Sequence, residues 1–357
     1  MDRSPILFRC DGNPDTGWES VYQSLVYAQA LQRRRRPCFF LGQFQPFQLI
    51  TQINRGGNEY LVSDHPVGSA EDCDATIQAI RKVNAAAVII AAPGLSMEYL
   101  REVASTGALI AVLDSEAKVC FPTRMVINPL LGPERGSYVW ERGTQLLLGA
   151  RYALVRSPFR RQRAIRVGEP QGAFRILLAF GDDDCTGQSL QRAEELLAAS
   201  RVDKITAFVR CHHPQIEDLK KLANRSENRL EIVTEVADLT SRLARIHFAV
   251  TSGDGTALEI ACVGIPQLIL TQHQRHQVNA SIMDQEGVAL CLGHASQVTP
   301  LQFREAVSNL YDDPLERIGM ARCARQLIDG RGPDRLVSGL EVMLRPARYA
   351  VEERMVA

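Results

Sequence analysis

The stretch from Ala249 to Leu270 constrains the fold more than any other part of the chain. Ala249-Val250-Thr251 ends an apolar strand, Ser252-Gly253-Asp254-Gly255 is a tight glycine-bearing turn, and Thr256 to Ala261 opens a helix. Gly264-Ile265-Pro266 then leads into a second apolar run, Gln267 to Leu270. Strand, turn, helix and strand in this order call for a parallel sheet covered by helices. A helix that starts just after a glycine turn presents unpaired N–H groups and the positive end of its dipole, a natural seat for phosphate. Ser252, Gly253 and Thr256 are therefore candidate ligand contacts. Thr256 either caps the helix or meets the phosphate, and Glu259, three residues on, either completes a capping box or helps hold a nucleotide.

The same alternation runs through both halves. Ile6 to Arg9, Cys38 to Leu41, Glu59 to Val62, Ala87 to Ile90, Leu109 to Leu113 and Met125 to Ile127 are short apolar runs, with helical spacing at 19–33, 45–55, 71–83 and 96–105. Residues 140–156 read as helical and then extended. A second alternating set starts at Phe174 to Phe180 and continues to a last helix near 334–344. The 357 residues suffice for two domains, each burying its own core. The reading is α/β, two Rossmann-like doubly wound domains facing across a cleft. The N-terminal domain covers 1–156 and the C-terminal, nucleotide-binding domain covers 173–345. The polar, proline-containing stretch 157–172 joins them as a linker, and 346–357 is a charged tail.

Forty-one Lys and Arg balance forty-one Asp and Glu, so no global charge steers the protein to nucleic acid or an anionic membrane. The run Arg33 to Arg36 reads either as a basic patch or as a solvated helix end that complements the dipole. Nine cysteines without a CxxC pair fit reduced thiols rather than a disulfide or metal framework. Met1 to Pro5 has no signal-peptide pattern, and no apolar run nears the ~20 residues of a membrane span. A cytoplasmic protein is expected.

Ligands of doubly wound sheets gather at the carboxyl ends of strands. Asp114 and Asn128 stand at two such ends, and Gly181 and Thr186 flank a third. Gly181-Asp182 and Gly253-Asp254 share one design, a glycine turn with a carboxylate directly after the glycine. Two unit charges ~4 Å apart repel by roughly 4 kcal/mol at an effective dielectric near 20, more than the ~1.5–3 kcal/mol of a charge-assisted hydrogen bond. A bare diphosphate should dislike these turns, whereas magnesium held at Asp182 or Asp254 would reverse the sign. The alternative for Asp182-Asp183-Asp184 is an exposed acidic turn that caps a helix. His212 and His213 point to opposite faces if extended, which disfavours a metal site. His276-Gln277 follows a strand and faces the cleft, where it can hydrogen-bond a sugar or base.

Taken together, Leu147 to Phe159, Phe180-Gly181, Ser252 to Glu259 with Gly264-Ile265-Pro266, and Asp329-Gly330-Arg331-Gly332 resemble the UDP-2,4-diacetamido-2,4,6-trideoxy-β-L-altropyranose hydrolases of pseudaminic acid biosynthesis, and more broadly the glycosyltransferase-B fold. The resemblance implies a UDP-linked sugar bound between the domains, with UDP on the C-terminal one, and hydrolysis without a metal. Arg9, Asp11 and Gly17 match the start of the family's catalytic loop. By register the catalytic histidine falls on Ser20, and the arginine three residues on is Gln23. The second glycine of each Gly-Gly turn is Asp182 or Asp254, an aspartate after the third N-terminal strand is Ala91, and an Asn-Gln pair is His276-Gln277. Serine is no general base at neutral pH without a partner, which leaves Asp11 as the substitute. The chain is expected to be a nucleotide-sugar hydrolase or glycosyltransferase of surface polysaccharide or nonulosonic acid biosynthesis, or else a non-catalytic relative that binds a sugar or a protein in the cleft.

Overall fold

The computed structural model describes residues 3–92, 94–181, 184, 186–198 and 201–345. The apolar runs of the first half become strands β1 (Ile6–Cys10), β2 (Cys38–Gly42), β3 (Glu59–Val62), β4 (Ala87–Ala91) and β5 (Leu109–Leu113), with β7 (Met125–Asn128) and β9 (Gln145–Leu148) continuing the sheet. A short pair, β6 (Cys120–Phe121) and β8 (Val139–Trp140), stands apart from it. The main sheet is parallel throughout, in the order β3-β2-β1-β4-β5-β7-β9. Helices α1 (Glu19–Gln32), α2 (Phe47–Arg55), α3 (Ala70–Val83) and α4 (Met97–Ala104) cover its faces. β1, β4 and β5 are buried along their whole length, as a sheet covered on both faces requires.

The second half repeats the plan. Between α5 (Ser157–Ile165) and the chain end run β10 (Arg175–Ala179), α6 (Gln188–Leu197), β11 (Lys204–Phe208), α7 (Ile216–Arg225), β12 (Leu230–Val233) and α8 (Val236–Thr240). They are followed by β13 (Phe248–Thr251), α9 (Gly255–Val263), β14 (Gln267–Thr271), α10 (Gln274–Gln285), β15 (Ala289–His294), α11 (Pro300–Asp312), α12 (Pro314–Leu327) and α13 (Gly332–Met343). The strand order is β12-β11-β10-β13-β14-β15, again all parallel. Two Rossmann-like sheets thus form one α/β molecule. In each sheet the order reverses beside its first strand, between β1 and β4 and between β10 and β13. The crevice outside the strand ends opens at such a reversal, so the turns after β1, β10 and β13 are brought to one place.

Three sequence expectations change. The helix expected from residue 140 is absent, because Gln145–Leu148 pairs with β7 as an additional parallel strand. The stretch 157–172 is not bare linker: α5 packs on α9, burying Phe159 in the core of the second half, and Arg163 donates to the carbonyls of Cys262 and Ile328 at 2.9 and 3.0 Å. The last helix crosses back. Leu336, Val337 and Leu340 of α13 join Phe8 and Tyr27 in the first-half core, and Tyr27 Oη donates to the Leu336 carbonyl at 3.1 Å. Arg33 and Arg36 of the basic run pair with Asp334 and Glu341 of that helix, both at 2.9 Å. No helix among the described residues is long and apolar enough to cross a membrane.

Candidate active site at the interdomain cleft

Glycine permits the chain to turn sharply at both phosphate-type turns of the second half. Gly181 and Gly253 have φ of +81° and +74°. Gly253 hands the chain to Asp254, whose carboxylate Oδ1 accepts the Ala257 N–H at 3.1 Å. Asp254, not Thr256, is therefore the helix cap. The other oxygen, Oδ2, lies 2.0 Å from where a Cβ on Gly181 would stand, so the two turns meet through this one carboxylate. Ser252 Oγ is buried beside it with no hydrogen-bond partner among the described residues.

The capping box of Thr256 and Glu259 does not form. Glu259 instead accepts from the Arg156 backbone N–H at 2.8 Å and from its guanidinium Nε at 2.8 and 2.9 Å, tying α9 to the chain just before α5. Thr256 is buried and lines a small cavity between α9 and α1, together with Glu19, Tyr22, Gln23 and Asp254.

On the first-half side, Arg9 and Asp11 do not reach the cleft. Arg9 is wholly buried at the end of β1, with Nε on Asp72 at 2.7 Å and both Nη groups on Asp11. Asp11 is 5% exposed and also accepts the Gln43 N–H at 2.9 Å. Burial disfavours the Arg9 charge, but the two carboxylates overcome it and hold the guanidinium pKa above its ordinary value. The expectation that Arg9 and Asp11 meet the substrate gives way to a buried ion triad, because two acids at strand and helix ends need the one cation between them. Gly17, at φ +74°, closes the loop onto the Asn13 carbonyl, and Asn13 Oδ1 collects the N–H groups of Asp15 and Thr16.

The cleft is instead lined from the first half by the start of α1. One cavity, of about 60 Å³, is bounded by Thr16, Glu19, Ser20, Gln23, Asp114 and Arg275, among others. Asp114 Oδ2 accepts from Glu116 and Ala117 N–H at 3.1 and 2.7 Å, and burial raises its pKa above the ordinary value against these bonds. Asn128 is fully buried and spent on its own turn, with Nδ2 on the Gly132 carbonyl and Oδ1 on the Leu130 N–H, both at 2.9 Å. It shapes the loop rather than facing ligand.

Glu19 joins the halves. Its Oε2 lies 3.1 Å from Arg275 Nη2 and 3.3 Å from His276 Nε2, while Gln23 donates to Oε1 at 3.0 Å. Burial favours protonated Glu19, yet the charge of His276 and its hydrogen bond, with Arg275 behind them, bring the carboxyl down to about 2. In the same way burial favours neutral His276, and Glu19, with Asp254 at longer range, raises its pKa. His276 is 3% exposed, and its Nδ1 has no hydrogen-bond partner among the described residues. His273, next to it, is pushed down to about 4 by burial and the charges of Arg275 and His276. Gln277 sits at the following position of α10, partly exposed.

Behind this pair, Thr186 N and Oγ1 donate to Gln272 Oε1 at 3.0 and 2.8 Å. Asp184 accepts from Gln272 Nε2 at 3.0 Å and from the Gln188 and Ser189 N–H groups at 2.9 and 2.8 Å. The acidic turn does cap α6, though through a buried aspartate rather than an exposed one. His213 Nδ1 accepts the Gln215 N–H at 3.1 Å, which leaves its Nε2 to face Asp184 Oδ2 at 3.0 Å. His212 turns the other way and meets the Trp18 ring, centroid to centroid 4.1 Å. Arg210 lies 3.9 Å over the Tyr22 ring. Among the described residues no group of three His, Cys, Asp or Glu side chains is placed to hold a metal, and Asp182 lies outside the described residues.

Known proteins can now be set beside this geometry. MurG of Acinetobacter baumannii is similar over 96% of this chain and 100% of its own, with a TM-score of 0.65 at 14% identity. The spinosyn rhamnosyltransferase SpnG, solved with thymidine diphosphate, is similar over 94% and 100%, with a TM-score of 0.60 at 14% identity. The fold is the glycosyltransferase-B fold. In sequence, the spore coat polysaccharide biosynthesis protein SpsG of Bacillus subtilis (strain 168) is 23% identical over 220 residues, 60% of this chain. The match spans 64% of the length of that relative. No family model matches the chain.

Sequence reasoning placed the cleft but missed Glu19, Gln272 and Arg275. An acid in the first turn of a helix reads as a dipole partner, and a Gln or Arg beside a strand end reads as surface. Only the meeting of α1 with α10 gives these residues a shared place.

Proposed function

We propose that this protein is a sugar-processing enzyme of surface polysaccharide biosynthesis, acting on a nucleotide-linked sugar in the cleft by hydrolysis or by transfer to a hydroxyl acceptor. One observation carries the reading: the Glu19–His276 pair, a carboxylate and an imidazole brought together from opposite halves, with Glu19 at the wall of a polar cavity and His276 at a water-sized one beside it. The sequence similarity to a polysaccharide biosynthesis protein supports the pathway class. A UDP-linked trideoxyhexose, precursor of a nonulosonic acid, is one substrate of this class.

Protonated His276 gives a proton from Nδ1, through a water in the small space beside it, to the departing diphosphate oxygen as the bond to the anomeric carbon breaks. A hydroxyl, of water or acceptor, forms the new bond and gives its proton to Asp114, whose raised pKa suits a general base. Asp11 is too enclosed by Arg9 to serve. Ser20, at the cavity wall, positions a sugar hydroxyl.

The test follows UDP and free sugar released from a panel of UDP-sugars, with and without acceptor sugars. Glu19→Gln, His276→Asn and Asp114→Asn should each lose about 10²–10⁴-fold in turnover. Wild-type rates in all three variants would overturn the assignment. A second reading, a non-catalytic sugar- or protein-binding relative, is favoured by the Asp254 carboxylate at the helix seat, and absence of turnover by the wild type would support it.

A further inference from the structure

The N-terminus of α9 has the form of an anion seat, yet its occupant is built in. Asp254 Oδ1 takes the Ala257 N–H at 3.1 Å, and the Asp254 carbonyl takes the Leu258 N–H at 3.4 Å. Oδ2 reaches across to the second turn, 2.0 Å from the position of a Cβ on Gly181, with Ser252 Oγ 3.5 Å from the same point. Gly181 has to be glycine here because this oxygen occupies its side-chain space. The space left between the turns is a cavity of about 10 Å³, bounded by Glu19, Asp184, Ser252, Asp254, Gln272, His273 and His276. That is room for a single water, not for a phosphate group.

Two more features mark the place as one that meets ligand. Ser252 Oγ and His276 Nδ1 are both more than nine-tenths buried at this cavity and have no partner among the described residues. A buried polar atom left without a partner is costly, so a water or ligand group belongs there. Around these two atoms stand three carboxylates, Glu19, Asp184 and Asp254. Glu19 is paired with His276 and Arg275, and Asp184 faces His213 Nε2 at 3.0 Å.

We infer that Asp254 is a specificity-determining residue that holds down the affinity of the α9 seat for nucleoside diphosphates. The residue does part of the work a bound phosphate does elsewhere: its carboxylate takes the Ala257 N–H and places a negative charge at the positive end of the α9 dipole. An incoming diphosphate has to displace it or sit beside its charge. This inference rests on the geometry of the seat alone and holds for either reading of the function.

The experiment is calorimetric titration of the full chain with UDP at neutral pH, without divalent cations, for wild type, Asp254→Asn and Asp254→Gly. Asparagine caps helices as well as aspartate does, so Asp254→Asn removes the charge and keeps the cap, and thermal melting checks that both variants fold. The expected result is UDP binding at least about tenfold tighter in Asp254→Asn than in wild type, and tighter still in Asp254→Gly, where the seat is also emptied. Dissociation constants within twofold of wild type in both folded variants would overturn the inference. Turnover plays no part in this readout, so its failure is separate from failure of the proton-transfer assignment.

Discussion

Asp11 and Glu19 flank one loop, the turn between β1 and α1, and the two acids have opposite fates. Asp11 turns inward and is closed over by Arg9, whose guanidinium also holds Asp72. Glu19 turns outward, keeps contact with a polar cavity and finds its cations on α10 of the other half. The first is an ion triad within one domain, with a place in stability. The second bridges the two halves of the molecule beside cavities of about 60, 30 and 10 Å³. Acids that look alike in sequence divide according to whether their partner is on the same domain.

The largest effect should come from the inner site. Arg9→Ala leaves two buried carboxylates without their cation and should cost about 3–5 kcal/mol in urea unfolding, whereas Glu19→Gln should cost less, because His276 can shed its proton once its partner is gone and so leaves no buried charge unpaired. Equal costs would break the comparison.

Next in size is the contact between the glycine turns. Gly181→Ala puts a Cβ onto the Asp254 carboxylate and strains a positive φ, for an expected loss of about 2–4 kcal/mol. In an Asp254→Gly background the clash is gone and only the backbone strain, about 1–2 kcal/mol, should remain. A double-mutant cycle with no coupling would show that the two turns do not meet through Asp254.

The smallest effect is the pH dependence of the outer pair. The Glu19 carboxyl is depressed to about 2, so its contribution is present above its unfolded value near 4.5 and is lost as pH falls toward 2. His276 is raised, so its contribution is full below about 6.5 and fades as pH climbs through its folded value. The melting-temperature difference between wild type and Glu19→Gln should therefore be largest near pH 4.5–6.5 and shrink on both sides. A difference that is flat from pH 3 to 9 would remove Glu19 and His276 as an ion pair.

Much of this molecule was legible in its residues. The apolar runs at Ile6, Ala87, Leu109, Phe174 and Ala249 name the central strands, because a strand buried on both faces has no choice but to be apolar. Gly181 and Gly253 name the turns at the strand ends. The run 140–148 misled, since a short edge strand and a helix share its mix of apolar and polar residues, and pairing with β7 decided between them. The linker region misled for a related reason: a helix rich in arginine looks solvated until Arg163 is seen to satisfy the Cys262 carbonyl near the end of α9.

The site was legible only in outline. Ser252, Asp114, Ser20 and His276 line cavities near the strand ends, where topology puts them, whereas Gly253 packs against Ala280 and Ile269. Arg9, Asp11 and Asn128 do not meet the cleft, and Glu259 meets it already paired with Arg156, because a charged or amide side chain near a cleft binds whichever buried partner is nearest, and the sequence does not show that partner.

The sequence by itself determined two parallel sheets and the glycine turns at their strand ends, since hydrophobic periodicity and glycine placement are local properties of the chain. Tertiary structure alone decided that Glu19 meets His276, that Asp254 spans both glycine turns, and that α13 returns to the first domain. Those contacts join residues far apart in sequence, and the energy of an ion pair or a cap depends on distance and burial that only the folded chain supplies.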